Sequence, residues 1–441
     1  WRCFTYCREV AILKLVIRGG WIIDPAQQIN KKADILLAEG KIAAIGEGLS
    51  AADAQVIDAT GKYVVPGLID MHVHLRDPGL EAKEDIYTGT RAAAMGGFTS
   101  VACMPNTRPV IDNISGIGYV QNRAQSAGAV NVYPIGAITK GSEGKELAEI
   151  GDMVQAGAVA VSDDGKPVSN AQVMRLAFEY AKMFDIPVIA HSEDLYLAEG
   201  GQMHEGYVST VLGLKGIPAA AEEVMIARDC LLAEYTGGRL HVAHVSTAGA
   251  VEIIRRAKAR GVKVTAEVTP HHLTLTDEAV RGFDTNTKVN PPLRGTADIA
   301  ALIAGLKDGT LDSIATDHAP HAFEEKDVEY RYAPFGISGL ETAVPLVLQA
   351  LVHSGEMKLE EVVAAMTLQP ARILGLDKGT LETGKDADVT ILDPAFEHTL
   401  DPQRFVSKGK NSPYGGRQVK GRVVATIVAG EVVMQEGRLL K

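Results

Sequence analysis

Short apolar runs that alternate with polar positions occupy both ends of the chain. From Leu13 to about residue 46, four such runs follow one another, separated by glycine and Asp-Pro pairs. Alternation with this punctuation predicts β-strands rather than helices. The same pattern returns in 387–393 and 421–440. Because neither end can bury its own apolar face, we expect residues 13–65 and 377–441 to form one small β-sandwich domain together.

The middle of the chain, residues 66–376, has a different pattern, in which short apolar strands alternate with helical segments. Residues 171–184 and 219–235 carry apolar side chains at spacings of three and four, as amphipathic helices do. The predicted strands end at His74, Met104, Gly136, Asp164, His191, His244, Val268 and Asp317. Eight strand and helix units in a row predict an α/β fold, a (β/α)8 barrel of the TIM type.

Composition and charge narrow the class of protein. The net charge is −11, with no basic block, so nucleic acid is not an expected partner. No apolar run reaches the roughly 18 residues that span a bilayer, and the start lacks the pattern of a secretory signal, so we expect a cytoplasmic protein without membrane contact. The 4 cysteines are too few for a disulfide framework. We assign no function to residues 1–12, which include Cys3 and Cys7.

Candidate chemistry lies where the predicted strands end. His72 and His74 point to the same face of one strand, and two imidazoles suit a divalent metal of the zinc type. A single histidine at a strand end is usually structural, and Asp163-Asp164-Gly165 could be a turn that caps a helix. Five strand ends of this kind, however, would converge on one face of a barrel. Six ligands exceed one tetrahedral zinc ion, which favours two metals bridged by one carboxylate.

Several longer motifs point to a known family. They are D-M-H-V-H-L-R-D-P-G (70–79), M-P-N-T (104–107), S-D-D-G (162–165), A-H-S-E-D (190–194), A-H-V-S-T (243–247), T-P-H-H-L (269–273), N-P-P-L-R (290–294) and A-T-D-H-A-P-H (315–321). With these motifs the chain resembles the amidohydrolase superfamily and, within it, the bacterial type I dihydroorotases. The resemblance runs from about Leu13 to the C-terminus.

The resemblance implies a role for each site residue. Zinc, as one or two ions, would be held by His72, His74, Asp164, His191, His244 and Asp317, with Asp164 as the bridge and Asp163 as its open alternative. Asp317 would also be the catalytic proton carrier. The substrate would contact His74, Arg76, Asn106, Asn290, His321, Phe335 and Gly336, with Arg76 and Asn106 on its carboxylate. We expect structural roles for Asp77, Asp112, His271 and His272.

The implied reaction is the reversible hydrolysis of (S)-dihydroorotate to N-carbamoyl-L-aspartate in pyrimidine (UMP) biosynthesis. A hydroxide held by the metals would attack the ring carbonyl, and Asp317 would pass a proton to the departing nitrogen. One alternative is a hydantoinase or allantoinase, which bridges its metals with a carboxylated lysine. Here Lys166 lies between Gly165 and Pro167, which predicts a solvated loop.

A second alternative is a non-catalytic partner of aspartate transcarbamoylase, since some members of the family have lost their ligands. Every expected ligand is present in this chain, which favours the enzyme. The sequence does not decide whether the protein forms a homodimer or a complex with aspartate transcarbamoylase, and both are possible partners.

Overall fold

The computed structural model describes residues 14–440. The segment 1–12, with Cys3 and Cys7, therefore lies outside the described residues. Cys103 and Cys230 are buried free thiols. Within 14–440, no helix combines the length and the apolar character needed to cross a membrane.

Strands predominate at both ends of the described chain, and strands alternate with helices in its middle, where the short strands β11 and β12 are additions that the sequence patterns do not predict. The strands are β1 Lys14–Asp24, β2 Ile29–Ala38, β3 Lys41–Gly46, β4 Gln55–Asp58, β5 Tyr63–Pro66, β6 Leu68–Val73, β7 Phe98–Cys103, β8 Asn131–Pro134, β9 Val161–Ser162, β10 Pro187–Ala190, β11 Met203–His204, β12 Gly216–Ile217, β13 Arg239–Val242, β14 Val264–Val268, β15 Ser313–Ile314, β16 Val389–Thr399, β17 Gln418–Val428, β18 Glu431–Gln435 and β19 Arg438–Leu439. The α-helices are α1 Ile86–Met95, α2 Ile114–Ala127, α3 Ile150–Gln155, α4 Ala171–Lys182, α5 Leu195–Ala198, α6 Tyr207–Leu212, α7 Ala219–Thr236, α8 Ala248–Ala259, α9 Pro270–Thr274, α10 Thr296–Lys307, α11 Phe323–Lys326, α12 Ala343–Val347, α13 Leu359–Met366 and α14 Leu368–Leu374.

Both chain ends belong to a single nine-stranded sheet. Its order is β19-β18-β17-β16-β5-β1-β2-β3, and β4 pairs with β1. The two ends meet where β5 runs antiparallel to β16, with Val64 opposite Ile391. Apolar side chains from both ends, including Leu15, Ile35 and Ile427, fill one core of their own. The strands of the two ends thus form one hydrogen-bonded sheet with a shared core.

Eight parallel strands form a ring in the middle of the chain. β6, β7 and β8 make a three-stranded sheet, and β9, β10, β13, β14 and β15 make a five-stranded one. Single bridges, Gly136 to Val161 and Val73 to His318, join the two sheets at both edges. β6 is buried along its whole length, as a parallel strand covered on both faces should be. Each strand ends within three residues of its predicted end, so the chemically active side chains lie at or just beyond the carboxyl ends.

A loop from the terminal sheet returns to the carboxyl face of the ring. It spans residues 400–417 between β16 and β17, and its base is closed by the hydrogen bond from the Leu400 nitrogen to the Arg417 carbonyl, at 3.0 Å. Tyr414 is buried and packs with Leu346 of α12. This return loop brings residues of the C-terminal segment next to the mouth of the ring.

Candidate metal centre and substrate pocket

The first group of potential metal ligands consists of His72, His74 and Asp164, all buried. The His72 Nε2 atom lies 3.4 Å from Asp164 Oδ1, and the His74 Nε2 atom lies 3.4 Å from Asp164 Oδ2. Asp317 joins them, with its Oδ1 atom 3.0 Å from His74 Nε2 and 3.4 Å from His72 Nε2. The strand ends of β6, β9 and β15 thus bring two imidazoles and two carboxylates together.

The second group shares Asp164 and adds His191 and His244, which follow β10 and β13. The His191 Nδ1 and His244 Nε2 atoms lie 2.9 Å apart. Each of them lies 3.7 Å from Asp164 Oδ1. One carboxylate therefore faces both pairs of histidines, which is the arrangement that a bridged pair of metal ions requires. We call the six residues His72, His74, Asp164, His191, His244 and Asp317 the ligand cluster.

Hydrogen bonds on the far side of the first two imidazoles fix their orientation. The His72 Nδ1 atom donates to Glu267 Oε1 at 2.6 Å, and the His74 Nδ1 atom donates to Asn106 Oδ1 at 2.9 Å. With Nδ1 used in this way, the Nε2 atom of each ring is the one turned toward the cluster and can serve as the metal ligand. Glu267 also accepts from His241 Nε2 at 3.2 Å.

Asp163 and Asp164 face different ways. Asp163 accepts hydrogen bonds from the backbone nitrogens of Ile138 and Thr139 and from the Thr139 hydroxyl. Its carboxylate is thus used to hold a neighbouring loop, whereas Asp164 lies within the ligand cluster. Lys166 is exposed, and neither group of potential ligands includes it. Of the two aspartates, Asp164 is therefore the one that lies among the potential metal ligands.

The electrostatics of the cluster fit a bound cation. Burial alone would lower the pKa of His72, but Asp164, Glu267 and Asp317 around it raise the pKa well above its ordinary value. Burial would likewise raise the pKa of Glu267, yet His72 and His241 lower it to about 2. The His72 Nε2 and Asp164 Oδ1 atoms are buried and make no hydrogen bond. Excess negative charge and open ligand atoms at one point match a divalent metal, which would replace a proton there.

Three residues of the site have left-handed backbones although none is glycine. Arg76 has φ of 59°, His244 has φ of 35° and Asp317 has φ of 46°. Such conformations cost free energy and persist where the surrounding structure imposes them. Each one turns the chain sharply just after a ring strand, so that the side chain faces the mouth.

A pocket of about 330 Å³ opens over the ligand cluster. Its lining includes all the residues that the sequence assigned to the substrate: His74, Arg76, Asn106, Asn290, His321, Phe335 and Gly336. Arg76 Nε makes one long contact, 3.4 Å to the Pro320 carbonyl. Asn290 donates to Glu193 Oε1 at 3.0 Å. The Arg76 guanidinium thus lines the pocket with donors available to an anionic substrate.

His321 lies on the pocket wall between two hydrogen-bond acceptors, and its Nδ1 atom is 3.2 Å from Glu325 Oε2. Its Nε2 atom donates to the Phe335 carbonyl at 2.9 Å. Burial lowers the pKa of His321 to about 3, helped by the charges of Arg76 and Lys326. The lowered pKa favours the neutral imidazole, which can donate through only one of its two ring nitrogens.

The four residues for which we expect structural roles, Asp77, Asp112, His271 and His272, lie outside the ligand cluster. Asp77 accepts from the Tyr119 hydroxyl at 2.7 Å, and Asp112 accepts from the Gly141 nitrogen at 2.9 Å. His272 donates through Nε2 to the Pro291 carbonyl at 2.9 Å. His271 is buried, and its Nε2 atom makes no hydrogen bond. None of the four belongs to the groups of potential metal ligands found within residues 14–440.

Glu267 and Glu193 are site residues that sequence reasoning missed. Glu267 interrupts the apolar strand β14 (V-T-A-E-V), and a charged residue inside a buried parallel strand was the available signal. Glu193 follows His191 in A-H-S-E-D; its Oε1 atom accepts from Asn290 at 3.0 Å, and its Oε2 atom lies 3.9 Å from His191 Nε2.

Comparisons with known proteins agree with this geometry. The model of the dihydro-orotase-like family matches residues 61–250, and that of the amidohydrolase family matches residues 237–434. A dihydroorotase of Pelotomaculum thermopropionicum is 64% identical over 424 residues, which cover 96% of this chain and 99% of the relative. A dihydroorotase of Geobacter sp. is 58% identical over 426 residues, covering 96% of this chain and 100% of the relative.

Solved structures with the same fold include hydantoinases. The L-hydantoinase (dihydropyrimidinase) of Arthrobacter aurescens superimposes with a TM-score of 0.88 at 30% identity, covering 98% of both chains. A dihydropyrimidinase of Brevibacillus agri gives a TM-score of 0.86 at 26% identity, covering 97% of this chain and 96% of the other.

Proposed function

The chain belongs to the dihydroorotase family of the amidohydrolases, and we propose that its ligand cluster and pocket hydrolyse (S)-dihydroorotate reversibly to N-carbamoyl-L-aspartate. As a member of this family the chain is a cyclic amide hydrolase of pyrimidine biosynthesis that acts on a small molecule. The observation that carries the proposal is one pocket in which metal-ligating side chains and the Arg76 guanidinium face the same space.

We propose zinc as the metal, with two ions per chain. His72, His74 and Asp317 would hold one ion, His191 and His244 the other, and Asp164 would lie between them. When bound, the ions polarise the substrate carbonyl and supply a nucleophilic oxygen at neutral pH. The chemistry of the donors supports zinc, because imidazole nitrogen and carboxylate oxygen are its usual ligands.

Asp317 is the proposed proton carrier. Its carboxylate lines the pocket and lies 3.0 Å from His74 Nε2, so it can take a proton from the attacking water and deliver it to the leaving ring nitrogen. Its neighbours hold it in place. The Thr316 hydroxyl donates to Asp70 at 2.6 Å, and the His318 carbonyl accepts from the His74 nitrogen at 2.9 Å.

The substrate carboxylate would bind Arg76 and Asn106. Arg76 offers the planar fork of donors that carboxylates favour. Asn106 uses its oxygen for His74, so its amide group is the part turned toward the pocket, 3.5 Å from the Asp164 carbonyl. Asn290, His321, Phe335 and Gly336 would form the opposite side.

We also propose the finer architecture and the setting of the protein. The ring of parallel strands supports a (β/α)8 barrel of the TIM type over about 66–376, and the shared core of the chain ends supports a β-sandwich from 13–65 and 377–441. The family resemblance supports a cytoplasmic location, a homodimer and a complex with aspartate transcarbamoylase as further proposals.

The hydantoinase alternative is disfavoured by two features, although hydantoinases share the fold. Asp164 belongs to both groups of potential ligands, and Lys166 is exposed. Turnover of dihydroorotate, hydantoin and allantoin by zinc-loaded protein tests the proposal, with zinc counted per chain. We expect turnover of dihydroorotate alone. Faster turnover of hydantoin would contradict the proposal, and full zinc occupancy without any turnover would indicate a non-catalytic subunit.

A further inference from the structure

One asparagine of the return loop makes four side-chain hydrogen bonds to the walls of the substrate pocket. The Asn411 Nδ2 atom donates to the carbonyls of Ala319 and Gly336, each at 3.0 Å. Its Oδ1 atom accepts from the His321 nitrogen and from the Ser338 hydroxyl, each at 2.9 Å. Asn411 is only 4% exposed. A buried amide thus uses two donors and two acceptor positions on two different segments, 319–321 and 336–338.

Both segments belong to the pocket wall. The hydrogen bonds of Asn411 to them involve no residue of the ligand cluster. Ala319, His321 and Gly336 all line the pocket. The segments also meet directly, through the bond from the Ala319 nitrogen to the Ile337 carbonyl at 2.9 Å and through His321 and Phe335. At Gly336, φ is 145° and a Cβ atom would lie 2.7 Å from the Ala319 carbonyl oxygen. The two segments are therefore closely packed, and Asn411 supplies most of the polar contacts that fix their spacing.

Asp317 is anchored independently of Asn411. Thr316 on one side bonds to Asp70, and His318 on the other bonds to the His74 nitrogen and, through Nδ1, to the Gly339 nitrogen at 3.1 Å. None of these bonds involves Asn411. The effect of losing the Asn411 amide should therefore fall on the pocket wall that contacts the substrate and not on the ligand cluster.

We propose that Asn411 is a positioning residue that sets substrate affinity by holding segments 319–321 and 336–338 together from outside the ring. The proposal rests on the proposed function, since it assumes that this pocket binds dihydroorotate. With this role of Asn411, the return loop of the terminal sheet would help to shape the active site.

The test compares steady-state kinetics of the wild type with those of Asn411→Ala and Asn411→Asp. Both variants leave the carbonyls of Ala319 and Gly336 without their donor, and the aspartate adds a charge next to them. We expect the KM for dihydroorotate to rise about tenfold or more in each, with kcat within about threefold of the wild type, because buried polar groups without partners disorder the wall. Zinc content per chain should stay unchanged.

Tyr414→Phe is the matched control. Tyr414 lies in the same loop, is also buried, and bonds through its hydroxyl to Thr274 Oγ1 at 2.6 Å, away from the pocket. This variant should keep the wild-type KM. An equal rise of KM in Tyr414→Phe, or an unchanged KM in the Asn411 variants, would overturn the proposal.

Ser338→Ala covers the case in which the Asn411 variants do not fold. It removes the hydroxyl that faces both Asn411 Oδ1 and the Gly409 carbonyl, each at 2.9 Å, and we expect a rise of KM by about threefold with unchanged kcat. An unchanged KM in this variant would then overturn the proposal by itself. Failure of the proposed function is recognised separately, because in that case the wild type would not turn over dihydroorotate at all.

Discussion

The two sides of the active site are built in different ways. The ligand cluster consists of side chains at the ends of ring strands, and their partners, such as Glu267, also come from the ring. The opposite pocket wall consists of backbone segments, 319–321 and 336–338, which the return loop holds from outside. The strands place reactive atoms rigidly, whereas the wall depends on packing between distant parts of the chain. We therefore expect changes in the cluster to affect metal content and kcat, and changes in the wall to affect KM and stability.

Removal of the shared carboxylate should have the largest effect. In Asp164→Ala, at least one metal should be lost and kcat/KM should fall by about three orders of magnitude or more, because both histidine pairs face this side chain. Metal counting and kinetics provide the measurement.

Lys166→Ala is the control for this prediction, and it should keep its metals. Reconstitution without carbon dioxide or bicarbonate should also leave activity unaffected. Recovery that depends on bicarbonate would show instead that a carboxylated lysine is the bridge.

Asp317→Asn should separate proton transfer from ligation. The amide can still offer an oxygen to a metal but cannot accept a proton, so kcat should fall about 100-fold or more. Metal content, measured on the same samples, should fall by much less. Near-normal turnover in this variant would rule out Asp317 as the proton carrier.

Glu267→Gln should weaken metal binding without touching a ligand. The amide group of glutamine cannot accept from His72 and His241 at both of its ends, so the affinity for metal should fall about 10- to 100-fold. Competition with a chelator measures this affinity. Thr265→Val removes only the hydroxyl bonded to His241, at 2.9 Å, and should bind metal as the wild type does. Equal affinities in Glu267→Gln and the wild type would contradict the role of Glu267.

The smallest expected effect is a change in how the free energy of unfolding depends on pH. Glu341 accepts from the backbone nitrogens of Val406 and Ser407 in the return loop, and burial raises its pKa to about 7. Its pKa in the unfolded chain is near 4.5. The folded state then binds more protons between these values, so this group makes the free energy of unfolding decrease as pH rises from about 4.5 to 7.

Glu341→Gln should remove that part of the decrease while leaving kcat unchanged. Urea unfolding at several pH values across the window measures it. Identical pH dependence in the two proteins would contradict the raised pKa.

The sequence predicted the ligand cluster better than the wall. Histidines and aspartates at strand ends can be recognised because each strand is a short local pattern and all strands of a ring end on one face. The choice of Asp164 over Asp163 could not be made locally, since it depends on the loop at Ile138 and Thr139. The left-handed backbones of Arg76, His244 and Asp317 also have no sequence signal, because such conformations normally indicate glycine.

The wall was predicted only in part. His321, Phe335 and Gly336 were assigned to it from the family resemblance. Asn411 was not, because it comes from a loop of the terminal sheet about 90 residues further along the chain than His321. Contacts of this kind depend on how separate units pack, which local periodicity does not encode.

We expect one side of the pocket to carry the chemistry, while Arg76 on the rim selects a carboxylate-bearing substrate. The most direct test is the ratio of kcat/KM for dihydroorotate to that for dihydrouracil, the same ring without the carboxylate, in the wild type and in Arg76→Met. We expect the ratio to fall about 100-fold or more in the variant, through loss of a charge-assisted pair, with metal content unchanged. An unchanged ratio would show that the carboxylate is held elsewhere.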